Sequence, residues 1–535
     1  MRRVLAVILL TACGGSDDKL PTGPITATVT TYDLALDLDS RAAHAKVTAD
    51  VTTGGDCWQL PFRGTTPTKA LLNGKPADVT LDATSITACG AGFAPGKPLV
   101  LEIDHEIAQT TLGTTDVGFT TKMDASRTYD YLLSWVGECD RFMPCDHRAD
   151  QFAHFHYDIT HAAGVTARCP GVVTDVSPTE TTCAFDYDGG PTYSTGLIAS
   201  ASWTQMDLGT WAGVHVTLYA DGASDMPGAI DASYHTGYLT WMQSLLGPWP
   251  YGNELRVLTA PTYWSGFEHP GNIVLYNKLA TPVRGQAYKK PVEHILDHEM
   301  AHMWAGDQTT LADTYDFAWK ESMAEYFAYV YEDMMDPTAA PQTAAYWKTA
   351  SAAALYFPGP TDKPKLVDYY GDAYGPGPMV LFRQLEVLTS RDQVLTAIKS
   401  VLGHQHAISI DDVVAALQTS TGLDLSAYKA AWIHGSGKPA WPTVMTTYAN
   451  GSLHVTQVTS TDKRCKFHVG LDGDQPGQQT LVAVDTFRDG LDQTIPVTAP
   501  AYPVTSVVLD PLAECLVYGA GFTAPARINP WQAAP

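Results

Sequence analysis

The spacing of apolar residues changes twice along the chain and divides it into three parts. From about residue 25 to 218, apolar and polar residues alternate in short runs, as between Thr30 and Leu38, which is the period of a half-buried strand. Residues 219–444 have helical spacing, and alternation returns over 445–535. A chain of 535 residues is long enough for several domains. We therefore predict an α+β multidomain protein with an N-terminal antiparallel β domain, a mostly α-helical middle domain and a C-terminal β domain.

Residues that commonly begin or end helices define the bounds of the helices predicted in the middle part. Pro291 suits the first turn of a helix that runs to Ala305, with Gly306 as its stop. A second helix is predicted from Phe317 to Met335. The connection between them is long enough to turn the second helix back against the first. Further helical stretches are predicted at Met379 to Leu388, Arg391 to Val401 and Asp411 to Gln418.

The first residues have the pattern of an export signal. Arg2 and Arg3 precede an apolar run from Val4 to Leu10, and a Leu-Thr-Ala-Cys segment ends at Cys13. This order resembles the lipobox of bacterial lipoproteins, in which cleavage before the cysteine leaves it to be acylated. We expect residues 1–24 to be a lipoprotein signal peptide and linker, with Cys13 anchoring the protein to the periplasmic or cell-surface face of the envelope. The alternative is an ordinary secretory signal in which Cys13 has no role.

The charge of the chain limits the classes of molecule that it is expected to bind. A formal net charge of -24, with 33 basic residues scattered among 57 acidic ones, argues against nucleic acid, because phosphate binding needs clustered Lys and Arg. No other segment approaches the ~20 apolar residues of a membrane helix. We therefore expect contact with a membrane through Cys13 only.

Eight cysteines remain when Cys13 is set aside. An even number in an exported chain predicts disulfides, although the sequence does not determine which cysteines pair. A cysteine metal cluster is the alternative, but the chain has no Cys-x-x-Cys spacing. Pairing neighbours along the chain keeps every bridge within one domain and gives Cys57–Cys89, Cys139–Cys145, Cys169–Cys183 and Cys465–Cys515.

The sharpest motif is His-Glu-Met-Ala-His at residues 298–302. Residues four apart share a helix face, so His298 and His302 can bind one metal ion while Glu299 lies beside its water. A catalytic zinc ion needs a third protein ligand and an open position, and Glu321 on the next predicted helix supplies that ligand. Glu325, one turn further, can orient a ligand histidine by accepting a hydrogen bond. The motif therefore predicts one Zn²⁺ per chain.

The flanking residues extend this motif into a family pattern. Residues 298–307 read His-Glu-Met-Ala-His-Met-Trp-Ala-Gly-Asp, and residues 319–326 read Trp-Lys-Glu-Ser-Met-Ala-Glu-Tyr. They resemble the gluzincin aminopeptidases of the M1 family, in which the third ligand lies within Asn-Glu-Gly-Phe-Ala. Here Lys320 replaces the Asn, and Ser322 and Met323 replace Gly and Phe. The resemblance implies a thermolysin-like catalytic domain.

The resemblance also assigns residues to substrate binding. Ser-Gly-Phe-Glu-His at 265–269 is similar to the family's Gly-Ala-Met-Glu-Asn segment, so Glu268 would bind the substrate's α-amine and Gly266 would line its site. Phe-Met-Pro-Cys-Asp at 142–146 is similar to a segment of the family's N-terminal domain. Glu138, just before it, is a candidate second residue for the amine.

A tyrosine completes the implied catalytic set. Tyr374, in Tyr-Gly-Pro-Gly-Pro, occupies the place of the family's tyrosine that stabilises the oxyanion, although Tyr369 and Tyr370 are close enough to compete. Larger members carry a C-terminal helical domain. Here the resemblance, which covers most of residues 28–515, implies a compact form with a β-sandwich-like domain at 445–535 and a more open cleft.

These residues predict a zinc-dependent aminopeptidase acting on peptides with a free N-terminus. Glu299 would be the general base, Tyr374 the oxyanion donor, and Glu268 the residue that fixes the N-terminus. Two alternatives stay open. One is a zinc endopeptidase or another M1-like hydrolase with an altered substrate, and the other is a surface lipoprotein that binds peptides without cleaving them.

Overall fold

A large β-sheet forms the N-terminal part of the chain. The computed structural model describes residues 21–281 and 288–525, so Cys13 and the predicted signal lie outside the described residues. Eleven strands make up this sheet: Pro24–Asp37, Ala42–Thr53, Gly55–Pro61, Lys69–Leu72, Lys75–Pro76, Asp78–Leu81, Ser85–Phe93, Pro98–Glu106, Phe152–Thr160, Val172–Ser177 and Glu180–Pro191.

The first strand organises this sheet. Pro24–Asp37 pairs antiparallel with Ala42–Thr53 and parallel with Phe152–Thr160. Along it, buried residues alternate with partly exposed ones, so the alternation in the sequence reports a strand with one face in the core. The predicted β domain is confirmed, but its sheet is mixed rather than wholly antiparallel. The reason is that its parallel partner, Phe152–Thr160, comes from much later in the chain, so no hairpin joins the two strands.

Two smaller sheets lead from this domain to the helical part. Four strands form the first: Gly118–Asp124, Arg127–Leu133, Thr166–Arg168 and Gly196–Ser200. Five form the second: Thr204–Trp211, Val214–Ala220, Glu254–Ala260, Gly266–His269 and Asn272–Tyr276. The strand Thr204–Trp211 thus belongs to a sheet that also contains strands of the middle part. The sequence had placed the boundary between the N-terminal and middle domains later, after residue 218. Gly266–His269 is an edge strand, antiparallel to Asn272–Tyr276.

Helices dominate the middle part. They are α1 Ala232–Leu246, α2 Pro291–Ala301, α3 Phe317–Met335, α4 Ala340–Ala352, α5 Leu366–Tyr370, α6 Pro376–Pro378, α7 Gln384–Leu388, α8 Arg391–Val401, α9 Ile410–Thr421, α10 Ser426–Tyr428 and, later, α11 Thr486–Asp489. Short 3₁₀ and π turns occupy Cys139–Arg141, Thr314–Asp316, Met379–Arg383 and Lys429–Ile433. Two short parallel pairs join Thr309–Leu311 to His406–Ile408 and Gly359–Pro360 to His434–Gly435. In the described ranges, no helix is both long and apolar enough to cross a membrane.

Helices α2 and α3 pack against each other and carry the predicted motif. α2 begins with Pro291 in its first turn but ends at Ala301, four residues before the predicted end, and the chain turns at Gly306, where φ is 139°. α3 has its predicted bounds, and every residue from Phe317 to Glu332 is buried. Because this helix is buried on all sides, its polar side chains need partners inside the protein.

The C-terminal part returns to strands, as predicted. One sheet contains Thr443–Ala449, Ser452–Gln457, Asp492–Pro496 and Tyr518–Gly519, and the other contains Lys466–Asp472, Gln479–Asp485 and Ser506–Leu509. Both contribute buried side chains, such as Leu453 and Phe467, to the hydrophobic core.

All four predicted disulfides are present, and the neighbour pairing is confirmed. The bonds are Cys57–Cys89, Cys139–Cys145, Cys169–Cys183 and Cys465–Cys515. The first joins directly paired positions of two antiparallel strands. The eight cysteines are therefore used in bonds that fasten the β parts of the chain.

Candidate active site

Three side chains from two adjacent helices converge on one point. His298 lies in the last turn of α2, His302 follows the last residue of that helix, and Glu321 lies near the start of α3. The Nε2 atoms of the two histidines are 3.1 Å apart, and they lie 3.4 and 3.5 Å from Oε2 of Glu321. All three side chains are buried at the wall of one cavity. The structure thus brings together the three residues that the sequence predicted as ligands.

The two separations that involve Glu321 match those expected around a tetrahedral zinc ion, and the separation between the two histidine nitrogens is slightly shorter. Zinc bonds of about 2.0–2.2 Å place two ligand atoms about 3.3–3.5 Å apart at tetrahedral angles. Burial alone would raise the pKa of the Glu321 carboxyl, but Lys320 and His302 lower it well below its usual value. Burial lowers the pKa of His298. An ionised carboxylate and a neutral imidazole are the forms that bind a metal.

The other ring nitrogens of the two histidines face acceptors. His302 Nδ1 lies 3.0 Å from the carbonyl oxygen of Ala305, to which it can donate, leaving Nε2 with a free electron pair. His298 Nδ1 lies 3.6 Å from Oε1 of Glu325. The hydrogen bond to Ala305 fixes which nitrogen of His302 turns towards the metal site, whereas the contact of His298 with Glu325 is longer than a hydrogen bond.

Glu325 is the centre of a buried hydrogen-bond network behind His298. Its Oε1 accepts a hydrogen bond of 2.7 Å from the Tyr288 hydroxyl. Its Oε2 accepts one of 3.0 Å from Trp347 Nε1 and one of 3.1 Å from His294 Nε2. The structure thus places the Glu325 carboxylate behind His298, 3.6 Å from its Nδ1 atom.

His294 links Glu325 to a second buried carboxylate. Its Nδ1 lies 2.8 Å from Oε1 of Glu332, whose other oxygen accepts a hydrogen bond from Thr343. Burial alone would lower the pKa of His294, but Glu332 and Glu325 raise it to about 9. The ring is therefore a cation near neutral pH and donates from both nitrogens.

A second group of residues also has metal-like spacing. Donor atoms of His294, His298 and Glu325 lie within 4.8 Å of one another and could hold a metal ion. Each nitrogen of His294, however, faces a carboxylate, which keeps the ring protonated. Neither nitrogen of a protonated ring has an electron pair to offer a metal. The geometry therefore favours the group that contains His302 and Glu321 as the metal site.

Glu299 lines the same cavity, and Gly266 leaves room for it. A Cβ atom on Gly266 would lie 2.5 Å from Oε1 of Glu299, closer than side chains approach. Burial, then the charges of Glu268 and Glu321, raise the pKa of the Glu299 carboxyl well above its usual value. A carboxyl group with a raised pKa beside a metal site is suited to take up and return a proton.

Glu268 lies on the edge strand and forms an ion pair with Lys320. Lys320 Nζ is 3.0 Å from Oε1 of Glu268 and 2.9 Å from Oε1 of Glu321. The Glu268 side chain is 10% exposed and that of Lys320 only 3%. The structure therefore places a buried ammonium between the predicted amine-binding carboxylate and the predicted metal ligand, a contact that the sequence did not reveal.

Two of the three candidate tyrosines line the cavity. The hydroxyl groups of Tyr370 and Tyr374 form a hydrogen bond with each other, and the Tyr374 ring lies 6.0 Å from that of His298. Burial, then the Glu321 charge, raise the pKa of both tyrosines well above the usual value, so both stay protonated. Tyr369 instead donates to the carbonyl of Pro358.

Glu138 lies in a different setting. It forms ion pairs with Arg63 and Arg141 and is not among the described residues that line the cavity. From the same segment, Ser134 and Trp135 line the cavity instead. The segment thus reaches the site, but through residues other than the predicted one.

Aromatic side chains form one wall of the cavity. Trp135 contacts the rings of Trp264, Phe317 and Tyr370, with ring centroids 5.6–6.1 Å apart. Sequence reasoning missed this wall, because its members come from four separate segments and share no motif.

Comparison with known proteins shows which protein family this chain is similar to. A family profile described as "Peptidase family M1 domain" matches residues 235–432. Aminopeptidase N of Streptomyces lividans is 22% identical over 448 residues, which cover 77% of this chain and 50% of the relative. Aminopeptidase N of Lactobacillus delbrueckii subsp. lactis is 26% identical over 231 residues, covering 39% and 26%. The chain thus spans half or less of the length of these two relatives.

Solved structures share the fold. An M1 zinc metallopeptidase variant from Deinococcus radiodurans, bound to a Tyr-Ser-Ala substrate, has a TM-score of 0.62 at 20% identity, covering 77% of this chain and 95% of that one. A variant of a two-domain M1 zinc metallopeptidase bound to L-tryptophan has a TM-score of 0.62 at 19% identity, covering 77% and 96%. The likeness establishes an N-terminal β domain followed by a helical domain.

Replacing His294 should destabilise the fold in a pH-dependent way. In His294→Leu, Glu325 and Glu332 lose their buried cation, so the free energy of unfolding should fall by about 3–5 kcal/mol at neutral pH. Because the folded pKa of His294, about 9, exceeds its ordinary value of 6.5, its contribution is full below 6.5 and is lost as the pH rises through 9. Urea denaturation across this range measures the difference.

The control for this experiment is His44→Leu. His44 is partly exposed and lies 2.6 Å from Asp104, so its loss should change the free energy of unfolding by less than about 1 kcal/mol. Equal losses in the two variants, or a His294→Leu difference that does not change with pH, would contradict the buried ion network.

Proposed function

We propose that the chain is a zinc-dependent aminopeptidase, because its residues 235–432 match the peptidase family M1 domain. The observation that carries the proposal is the convergence of His298, His302 and Glu321 beside Glu299 and Glu268. The first three residues would hold one zinc ion per chain, and the cavity supplies room for substrate at the remaining position.

The proposed mechanism assigns one step to each remaining group. Zinc, when bound, would supply a Lewis acid that polarises the scissile carbonyl and acidifies water. Glu299 takes a proton from the attacking water and passes it to the leaving nitrogen as the C–N bond breaks. Tyr374 donates a hydrogen bond to the oxygen that becomes negative, and its contact with Tyr370 holds it in place.

Glu268 would determine that the proposed reaction begins at the amino terminus of the peptide. A carboxylate at the cavity wall can pair with the α-ammonium of a peptide and place the first peptide bond near Glu299. Two observations on similar proteins support this role. Both curated relatives are named Aminopeptidase N, and the Deinococcus radiodurans protein was crystallised with a tripeptide substrate. The proposed partners are therefore peptides with a free N-terminus.

The aromatic wall suggests which first residue suits the cavity. Trp135, Trp264 and Phe317 offer apolar ring faces next to the metal ligands. Large apolar and aromatic side chains gain most from burial against such faces. A phenylalanine derivative is therefore the substrate of choice for a first assay.

The two C-terminal sheets are proposed to form a β-sandwich-like domain. In support, both sheets carry buried side chains, Leu453 on one and Phe467 on the other, and the strand Thr443–Ala449 of the first sheet contacts the strand Ser506–Leu509 of the second. Facing sheets pack in this way when each turns one apolar face inward.

Substrate comparison and one substitution test the proposed reaction. Zinc-loaded protein should cleave phenylalanine p-nitroanilide and leave its N-acetyl derivative intact, because an acetyl group adds bulk at the part of the cavity wall that Glu268 and Lys320 line. Glu299→Gln should lower kcat by a factor of about 10²–10⁴ while zinc, measured by metal analysis, stays bound. Glu180→Gln, on the N-terminal sheet, is the matched control and should keep the original kcat.

Other results would favour the alternatives. Cleavage of the acetylated compound without cleavage of the free amine would indicate an endopeptidase or another hydrolase. Peptide binding without turnover in the unaltered protein would indicate a peptide-binding lipoprotein.

The place of the protein in the cell is also a proposal. Export and attachment to the envelope through Cys13 are supported by the four disulfides, which form in oxidising compartments. In a bacterial host, the unaltered protein should sediment with membranes, whereas Cys13→Ala should leave it in the soluble fraction. Membrane association that survives this substitution would rule out the lipid anchor.

A further inference from the structure

Lys320 occupies the position next to Glu268 where a substrate's ammonium group would bind. Its Nζ atom lies 3.0 Å from Oε1 of Glu268, 2.9 Å from Oε1 of Glu321 and 3.5 Å from Nε2 of His302. The side chain is almost completely buried. One oxygen of the proposed amine-binding carboxylate is thus already paired with a cation from the chain itself.

The surroundings of Lys320 are shaped to hold it there. A Cβ atom on Gly306 would lie 2.6 Å from Cε of Lys320, so the absence of a side chain at this position makes room for the lysine stem. The ammonium also lies 5.5 Å from the centre of the Phe317 ring, within reach of a cation–π interaction. Moving a buried ammonium away from both of its carboxylates would be costly. These contacts hold the lysine beside Glu268.

We infer that Lys320 competes with the substrate's α-ammonium for Glu268 and so reduces the selectivity of this site for a charged amino terminus. A second ammonium would meet a carboxylate whose Oε1 atom is already paired, and it would lie a few ångströms from a like charge in a cavity lined by buried side chains. Like charges at that separation repel, which weakens binding of the charged amine relative to an uncharged group of the same size. Lys320 is in this sense a specificity-determining residue, and the inference rests on the proposed aminopeptidase function.

A substitution tests the competition directly. Lys320→Met keeps the length of the stem and removes its charge, so KM for phenylalanine p-nitroanilide should fall about fivefold or more. The affinity for the desamino analogue, hydrocinnamoyl p-nitroanilide, should change much less, and bound zinc should remain at one per chain. Lys399→Met, an exposed lysine on α8, is the matched control and should leave both values unchanged. An unchanged or higher KM in zinc-loaded Lys320→Met would overturn the inference, because Lys320 would then support Glu268 rather than compete with substrate.

The unaltered protein provides a second test that does not depend on folding of the variant. Its kcat/KM for phenylalanine p-nitroanilide and for hydrocinnamoyl p-nitroanilide should agree within about tenfold, since the charge of the amine adds little. A preference for the amine of more than about a hundredfold would overturn the inference.

Failure of the proposed function can be recognised separately. If neither anilide is cleaved, the aminopeptidase assignment fails, and calorimetric binding of phenylalanine amide and hydrocinnamamide to the zinc-loaded protein still tests Lys320. Affinities within about tenfold of each other support the competition, and a much tighter amine contradicts it.

Discussion

The need to give every buried charge on α3 a partner determines the arrangement of the site. Between Phe317 and Glu332 this helix is buried on all sides, yet it carries one lysine and three glutamates. An unpaired charge in such a place would cost several kcal/mol. The charged partners from other elements come from α2 and from the edge strand Gly266–His269, and α4 adds hydrogen bonds to Glu325 and Glu332.

The charges of α3 fall into two groups with different consequences. Towards its C-terminal half, Glu325 and Glu332 enclose His294, which makes a rigid ionic support behind His298. Towards its N-terminal end, Glu321 and Lys320 lie at the cavity wall, where Lys320 also reaches Glu268. The C-terminal half therefore lies behind His298, a proposed metal ligand, and the N-terminal end sets the charge that a substrate of the proposed reaction would meet.

Much of this could be predicted from local sequence. The spacing of His298 and His302 requires only helical geometry, and the bounds of α3 follow from its apolar run and the proline after it. The disulfides could be paired because neighbouring cysteines lie within single domains. Contacts between distant segments could not be predicted: the partner of Lys320, the aromatic wall around Trp135 and the ion pairs of Glu138 depend on how separate elements pack. The parallel pairing of the first strand, and helices α1 and α4, were missed for the same reason, since packing rather than a strong local pattern stabilises them.

Crystals of zinc-loaded protein, measured on both sides of the zinc absorption edge, would show which residues hold the metal. We expect one anomalous peak per chain, about 2.0–2.2 Å from Nε2 of His298, Nε2 of His302 and a carboxylate oxygen of Glu321. A peak among His294, His298 and Glu325 instead, or no peak in the cavity, would contradict this expectation.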